Sequence, residues 1–334
     1  MARHKKHDLL DIVVQSVRDC NWNVLYMGDI QEHPFLLRVY HADSDKSHLI
    51  RIYIWHLTHG GGAKRPADEY RIQITGLRHF LNRPDEKTVI LGWWNKGEVF
   101  AGFDFAKHMG ILGSSPSIQI REAALRKAAI NGIATADKGN NEIAVAFRPD
   151  FFIHYIENLE EIHNFGESSR DYEILEKILD NPERASDALI DRVSTRRKIS
   201  IVTVSKKLRE ASFQARVLTA YGFECAFCGI QMKLIDAAHI VPVSLPDSSD
   251  ITSNGISLCP LHHRAFDKAF VTFDEEYRIK LNDKELDKLK NAGRDGQMGR
   301  FLSELRSLIK VPPDTRDRPR RDFIDRANKF RGWP

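Results

Sequence analysis

Between Asp8 and about Arg18 the apolar residues Leu9, Leu10, Ile12, Val13 and Val17 recur at close to helical spacing, which predicts an amphipathic N-terminal helix. The pattern then shortens. Phe35 to Tyr40, Ser47 to Trp55, Glu69 to Thr75, Thr88 to Trp94 and Glu98 to Asp104 are rich in Ile, Val, Phe, Tyr and Trp and are separated by turn residues such as Asn95-Lys96-Gly97, so they read as strands. Strands in this arrangement predict a mostly antiparallel sheet with flanking helices. Ile118 to Ala129 reads as helical and Asn141 to Phe147 as extended, while Arg148-Pro149-Asp150 opens a further helix through about Ile162. The expectation for residues 1–165 is an N-terminal α+β recognition or regulatory domain. After Phe165-Gly166 the chain turns polar, and the patterns Asp171 to Leu179 and Arg184 to Val193 carry charge on one face, predicting a helical linker over 166–210. No internal repeat appears at the periods of about 20–50 residues that mark solenoids.

Composition bounds this picture. A chain of 334 residues with 42% hydrophobic and 29% charged residues fits a folded protein of two or three domains. No apolar run approaches the ~20 residues needed to cross a bilayer, and Met1 to Asp8 is basic without a signal-like apolar stretch, so a cytoplasmic protein with no membrane partner is expected. The net charge of +4 is small, but its distribution is uneven. Arg192 to Glu210 holds seven cations against Glu210 alone, and Lys310 to Arg331 holds eight against four aspartates. Each stretch can be a solvated surface; flanking the metal-ligand residues below, they read better as phosphate contacts, with Arg196, Arg197, Lys198, Lys206 and Lys207 as candidates.

Of four cysteines, Cys20 stands apart and reads as a core residue. The others form Cys225-Ala226-Phe227-Cys228 and, after 30 intervening residues, Cys259-Pro260-Leu261-His262. Ligands two residues apart sit on a tight knuckle and converge on one ion, so two such pairs supply the three sulfurs and one nitrogen of a structural Zn²⁺ site. The alternative is buried, inert thiols.

Inside that window, Ile235 to Pro242 reads as a strand that ends in a turn and presents His239 beside the polar loop Ser244 to Ser253. A second short strand, Asn254 to Leu258, leads into Cys259, and His263 and Asp267 follow at i and i+4 on one helix face. From about Phe213 to Leu281 the chain resembles the HNH nucleases, whose ββα-metal fold is named for His, Asn and His. The resemblance implies that His239 is the general base, that Asn254 ties the hairpin loop and holds His239, and that His263 coordinates a catalytic divalent cation, Mg²⁺ or Mn²⁺. It further implies an HNH nuclease domain over 211–285, followed by a C-terminal helix and basic tail over 286–334. His262 stands where the last zinc cysteine is expected, which leaves His263 for the second ion. Many members carry an Asp or His ligand directly before the base, where this chain has Ala238. Asp236 and Asp267 are the carboxylates that can substitute, although Asp267 can equally be structural, bonded to backbone or to Arg264. Arg264 is also a candidate DNA contact. An imidazole, with an ordinary pKa of ~6.5, can accept a proton from water at neutral pH.

A unit of that size has little means of choosing a target, so the first 165 residues are expected to supply recognition, regulation or oligomerisation. Trp55 to Pro66, with three glycines, Lys64 and Arg65, could approach phosphates or a flipped base, or be a hairpin loop. Trp93 and Trp94 could stack on a base, but a tryptophan pair in a strand more often has one ring in the core and one partly exposed, which is the expectation here. A variable N-terminal domain before a zinc HNH unit looks like restriction endonucleases, including those that cut modified DNA. The expected partner is double-stranded DNA, and cutting both strands with one site per chain would call for a homodimer. Rival readings are a defence nuclease switched on by a small nucleotide, and a zinc-stabilised DNA-binding protein without activity.

Overall fold

The structure, a computed structural model, describes residues 6–31, 33–42, 44–60, 66–180, 190–232, 234–245 and 248–333. It divides into two compact units, Met1–Leu208 and Arg209–Pro334.

In the first unit helix α1 (Lys6–Asp19) buries Leu9, Leu10, Val13, Val14 and Val17. Strands β1 (Asn23–Tyr26), β2 (Phe35–Tyr40), β3 (Ser47–His56), β4 (Thr58–His59), β5 (Glu69–Gln73), β6 (Lys87–Trp94), β7 (Val99–Phe103) and β8 (Ser117–Arg121) lead into helix α2 (Glu122–Asn131). Strands β9 (Ile133–Gly139) and β10 (Glu142–Phe147) follow, then helices α3 (Phe152–Glu157), α4 (Leu159–His163) and α5 (Ser169–Asp180). Helix α6 (Thr195–Ala220) contains the division between units.

Seven strands form one sheet in the order β1-β2-β3-β6-β7-β10-β9, and β4-β5-β8 form a smaller one. All neighbours in the large sheet are antiparallel except β3 and β6, which run parallel from Ile50↔Lys87 to His56↔Trp93. Parallel neighbours need a crossover, and the intervening chain supplies it through β4 and β5 of the small sheet. Central strands β6 and β7 are covered on both faces and read as continuous apolar runs. That double cover corrects the expectation for the tryptophan pair, since Trp93 and Trp94 are both 4% exposed.

Three further expectations are corrected. Ile118 to Arg121 is strand β8, not the start of the helix, because Ile118 and Ile120 alternate onto the small sheet's buried face before Ala124, Leu125 and Ala128 take up helical spacing. The helix expected through Ile162 is a 3-10 turn at Pro149–Phe151 followed by α3 and α4, which break at Asn158 (φ −112°, ψ 22°). Residues 166–208, expected as a linker, fall in the first unit, and α5 buries Ile174, Leu175, Ile178 and Leu179 there. Most of the helix expected at Arg184 to Val193 lies outside the described residues.

The second unit holds a ββα element, formed by β11 (Asp236–His239), β12 (Gly255–Leu258) and α7 (Pro260–Asp267). It continues with the pair β13 (Val271–Phe273) and β14 (Ile279–Leu281), then helices α8 (Asp283–Asn291), α9 (Met298–Ser303) and α10 (Arg321–Phe330). Its core joins Phe213 and Val217 of α6 to Phe227, Ile256, Phe266 and Phe273, and α10 adds Phe323, Ile324 and Ala327. Burying Phe323 and Ile324 contributes about 1.5–3 kcal/mol each, so the basic tail is part of this unit's core. Among the described residues no helix is long and apolar enough to cross a membrane.

Candidate active site

The two knuckles meet. Ligand atoms of Cys225, Cys228, Cys259 and His262 all lie within 4.8 Å of one another. The Cys225 and Cys259 Sγ atoms are 3.7 and 3.2 Å from His262 Nδ1, which bracket the ~3.5 Å that tetrahedral geometry sets at Zn–S of ~2.3 Å and Zn–N of ~2.0 Å. The first knuckle closes through Gly229 N–H donating to the Cys225 carbonyl (2.9 Å), with Gly229 left-handed at φ +85°, where a side chain would also meet the Arg306 guanidinium. Burial opposes ionisation of Cys225, yet hydrogen bonds from His262 and the knuckle's backbone outweigh it and hold this thiol down at about 6. Burial and the neighbouring thiols push Cys228 up to about 12. Three sulfurs this close ionise together only around a cation, and the donor set fits zinc.

His239 ends β11 opposite Gly255 of β12. The hairpin packs closely on α6, where a Cβ at Gly255 would come within 2.2 Å of Val217 Cγ2. Phe213, one turn earlier on that helix, stacks flat on the His239 ring, with centroids 3.9 Å apart and planes at 10°. The ring's Nε2 lies 2.9 Å from Asp250 Oδ1. Arg216 of α6 fixes this carboxylate's backbone by donating to the Asp250 carbonyl (2.5 Å). Asn254 is fully buried. Its Oδ1 accepts from Val241 N–H (2.9 Å), its Nδ2 donates to the Ser249 carbonyl (2.8 Å), and its own carbonyl accepts from Ile240 N–H (2.8 Å). Asn254 therefore clamps both ends of the loop that carries Asp250.

Helix α7 begins with Cys259 as N-cap and Pro260 in its first turn; His262 meets the sulfurs, and His263, about 100° further round the helix, meets Asp236 and Asp267 instead. His263 Nδ1 is 3.8 Å from Asp236 Oδ2, and its Nε2 is 3.6 Å from Asp267 Oδ2. The two carboxylates thus approach different ring nitrogens. One can ligate an ion together with the imidazole while the other orients the ring through the second nitrogen. Cis ligands of an octahedral Mg²⁺ stand about 3 Å apart at metal–oxygen lengths of ~2.1 Å, so either pair needs an adjustment of under about 1 Å. Among the described residues Asp267 faces His263 and no ion pair joins it to Arg264, which is exposed on α7.

Residues 225–274 match the family model described as HNH endonuclease. The chain carries an HNH endonuclease domain. A second family model, described as methylase-associated X1, matches residues 48–156, from β3 into α3. No curated protein matches the chain. Among solved structures, one titled modification-dependent TagI restriction endonuclease is similar over 85% of this chain and 81% of its own, at 12% identity and a TM-score of 0.29, a level that bears on neither mechanism nor substrate.

Outside the HNH domain the expected DNA contacts fare unevenly. Arg197 is corrected: it is buried, donates to Asp171 Oδ2 (2.7 Å) and Glu167 Oε2 (3.2 Å), and lies over the Phe165 ring, so its charge is spent inside the first unit. Lys198 pairs with Asp191 (3.1 Å) and Lys206 is exposed. Lys207 is half-buried beside a cavity of about 300 Å³ that Cys20, Trp22, His41 and His154 also line. Lys64, Arg65 and the side chain of Arg196 lie outside the described residues. Within the domain, Asp250 and Phe213 were not foreseen, because a loop carboxylate and a helix aromatic carry no spacing signal that ties them to a histidine.

Asp250→Asn is expected to lower the single-turnover cleavage rate about 10- to 100-fold with little change in melting temperature, the usual cost of losing an orienting partner. An unchanged rate would show that the His239–Asp250 contact does not serve the chemistry.

Proposed function

We propose that this protein is a metal-dependent DNA endonuclease of the restriction type, in which the first unit reads DNA sequence or base modification and the HNH domain hydrolyses the phosphodiester. The observation that carries this reading is His239, held by Asp250 at one nitrogen and by Phe213 across one face, on the same strand as Asp236 of the His263 carboxylate cluster. The match to a methylase-associated domain in the first unit supports a restriction role, since a nuclease kept with a methylase needs a way to tell modified from unmodified DNA.

With Nε2–H donated to Asp250, Nδ1 is the His239 atom that accepts the proton of an attacking water. Asp250 keeps the imidazole in that tautomer and stabilises it once protonated. Phe213 and the Asn254 clamp hold the ring plane and the loop, so orientation is set before DNA arrives. His263 with Asp267 or Asp236 would hold a divalent cation, Mg²⁺ or Mn²⁺, which would supply the charge that the non-bridging and leaving oxygens require. Double-strand cleavage with one site per chain calls for a homodimer on the DNA.

The test is digestion of unmodified, 5-methylcytosine and 5-hydroxymethylcytosine plasmid DNA side by side, with Mg²⁺ or Mn²⁺ and an EDTA control. Discrete fragments from one DNA and not the others are expected. Uniform degradation of all three would replace the reader with a non-specific effector, and no cutting in either metal would overturn the nuclease reading.

A further inference from the structure

We propose that Arg331 is a catalytic residue of this nuclease that contacts the scissile phosphate. This rests on the phosphodiesterase reading of the HNH domain and lies outside the residues that the HNH family model matches.

Arg331 follows α10 and reaches back across the second unit. Its Nη1 donates to the carbonyl of Ile240 (2.9 Å), the residue after His239. Its guanidinium carbon sits 4.2 Å over the ring of Phe266, the residue before Asp267. Burial disfavours its charge and the nearby Asp267 carboxylate favours it, which places the guanidinium within electrostatic reach of the His263 cluster. The group is thus fixed at two points, each one residue from a candidate site residue.

Other cations of this segment are committed elsewhere: half-buried Arg318 donates from Nε and Nη2 to the Pro312 and Pro313 carbonyls (2.9 and 3.3 Å), and Lys310 pairs with Glu224. Arg316, Arg320 and Lys329 pair with Asp314, Asp322 and Asp325 beside them in sequence, and all are exposed. Arg331 is half-buried, and among the described residues no carboxylate lies within 4.0 Å of it. A guanidinium has five N–H donors in a planar fork, and one is used on Ile240. A structural peg would need only the stem on Phe266 and that single bond. A half-buried cation with donors to spare, beside a site that must receive an anion, is matched by a phosphate's non-bridging oxygens. There it would offset charge that grows as the water oxygen bonds to phosphorus and the 3′ oxygen departs.

The experiment compares wild type with Arg331→Met and Arg331→Lys in the full chain, on whichever of the three plasmid DNAs the wild type cuts. Single-turnover rate is measured at saturating protein, DNA affinity is measured in Ca²⁺, and zinc content and melting temperature are followed alongside. Arg331→Met is expected to slow cleavage about 10²- to 10³-fold, with DNA affinity within about threefold of wild type and zinc retained. Arg331→Lys keeps the charge and loses the fork, and is expected to fall between the two. An unchanged rate in Arg331→Met overturns the proposal. Full activity in Arg331→Lys, with a lowered melting temperature or lost zinc in Arg331→Met, also overturns it, by showing a structural peg. A wild type that cuts none of the DNAs is instead the failure of the nuclease reading itself.

Discussion

His239→Ala should reduce DNA cleavage by about 10²- to 10⁴-fold, the range that a positioned general base contributes, while zinc content and DNA binding in Ca²⁺ stay close to wild type. The side chain is 16% exposed and its contacts are Asp250 and Phe213, so its removal leaves the hairpin pairing and the Asn254 clamp in place. This separation matters because a lost fold and a lost base both abolish activity. Measuring the single-turnover rate together with zinc content tells them apart. Cleavage at the wild-type rate by the alanine variant would falsify the mechanism, whatever the DNA specificity proves to be.

Cys225→Ser should have the opposite signature. Structural zinc contributes apparent folding free energy of about 10–16 kcal/mol in small zinc domains, more than the ~5–15 kcal/mol by which a typical domain is stable. Serine leaves an oxygen where the lowered thiol of Cys225 stands, and the knuckle it closes also anchors distant chain: Lys310 N–H donates to the Ala226 carbonyl and Arg306 N–H to that of Phe227, both at 2.9 Å. The expected result is loss of zinc, loss of the second unit's cooperative melting transition and low solubility. Retained stability in the variant, with no zinc in the wild type, would return the cysteines to the inert-thiol reading.

What the sequence disclosed follows the range of the interactions that encode it. The five stretches read as strands from their Ile, Val, Phe, Tyr and Trp content and the turn residues between them all form strands, and Phe35–Tyr40 agrees at both ends, because strand propensity and turn chemistry are written locally. Strand β9 was missed because, after Ile133, its buried positions are Ala134, Thr135 and Ala136, which carry little strand signature. That β3 pairs in parallel with β6 depends on which of several apolar strands meet, which no local pattern states. In the site, the spacing of Cys225, Cys228, Cys259 and His262 was enough to bring four ligands together, since each knuckle is local and the hairpin joins them. Asp250 and Arg331 approach the His239 strand from a loop and from a helix whose sequence distances carry no rule. Arg197 shows the converse error. A run of cations says nothing of a buried Asp171 that lies 26 residues upstream and claims one of them.

The dependence of the second unit on α10 also orders events during synthesis. The hydrogen bond from Arg331 to Ile240 spans 91 residues of chain, and Phe323 and Ile324 complete a core begun by Phe213. At ~5–20 residues per second, about 5–18 s separate the emergence of these parts. During that interval the chain already holds His239, Asn254 and His263 but lacks the helix that covers their core. The nascent polypeptide is therefore not yet a competent nuclease, and its first unit, complete by Leu208, has a head start in folding. On the function proposed above, the unit that reads DNA is made ahead of the unit that cuts it.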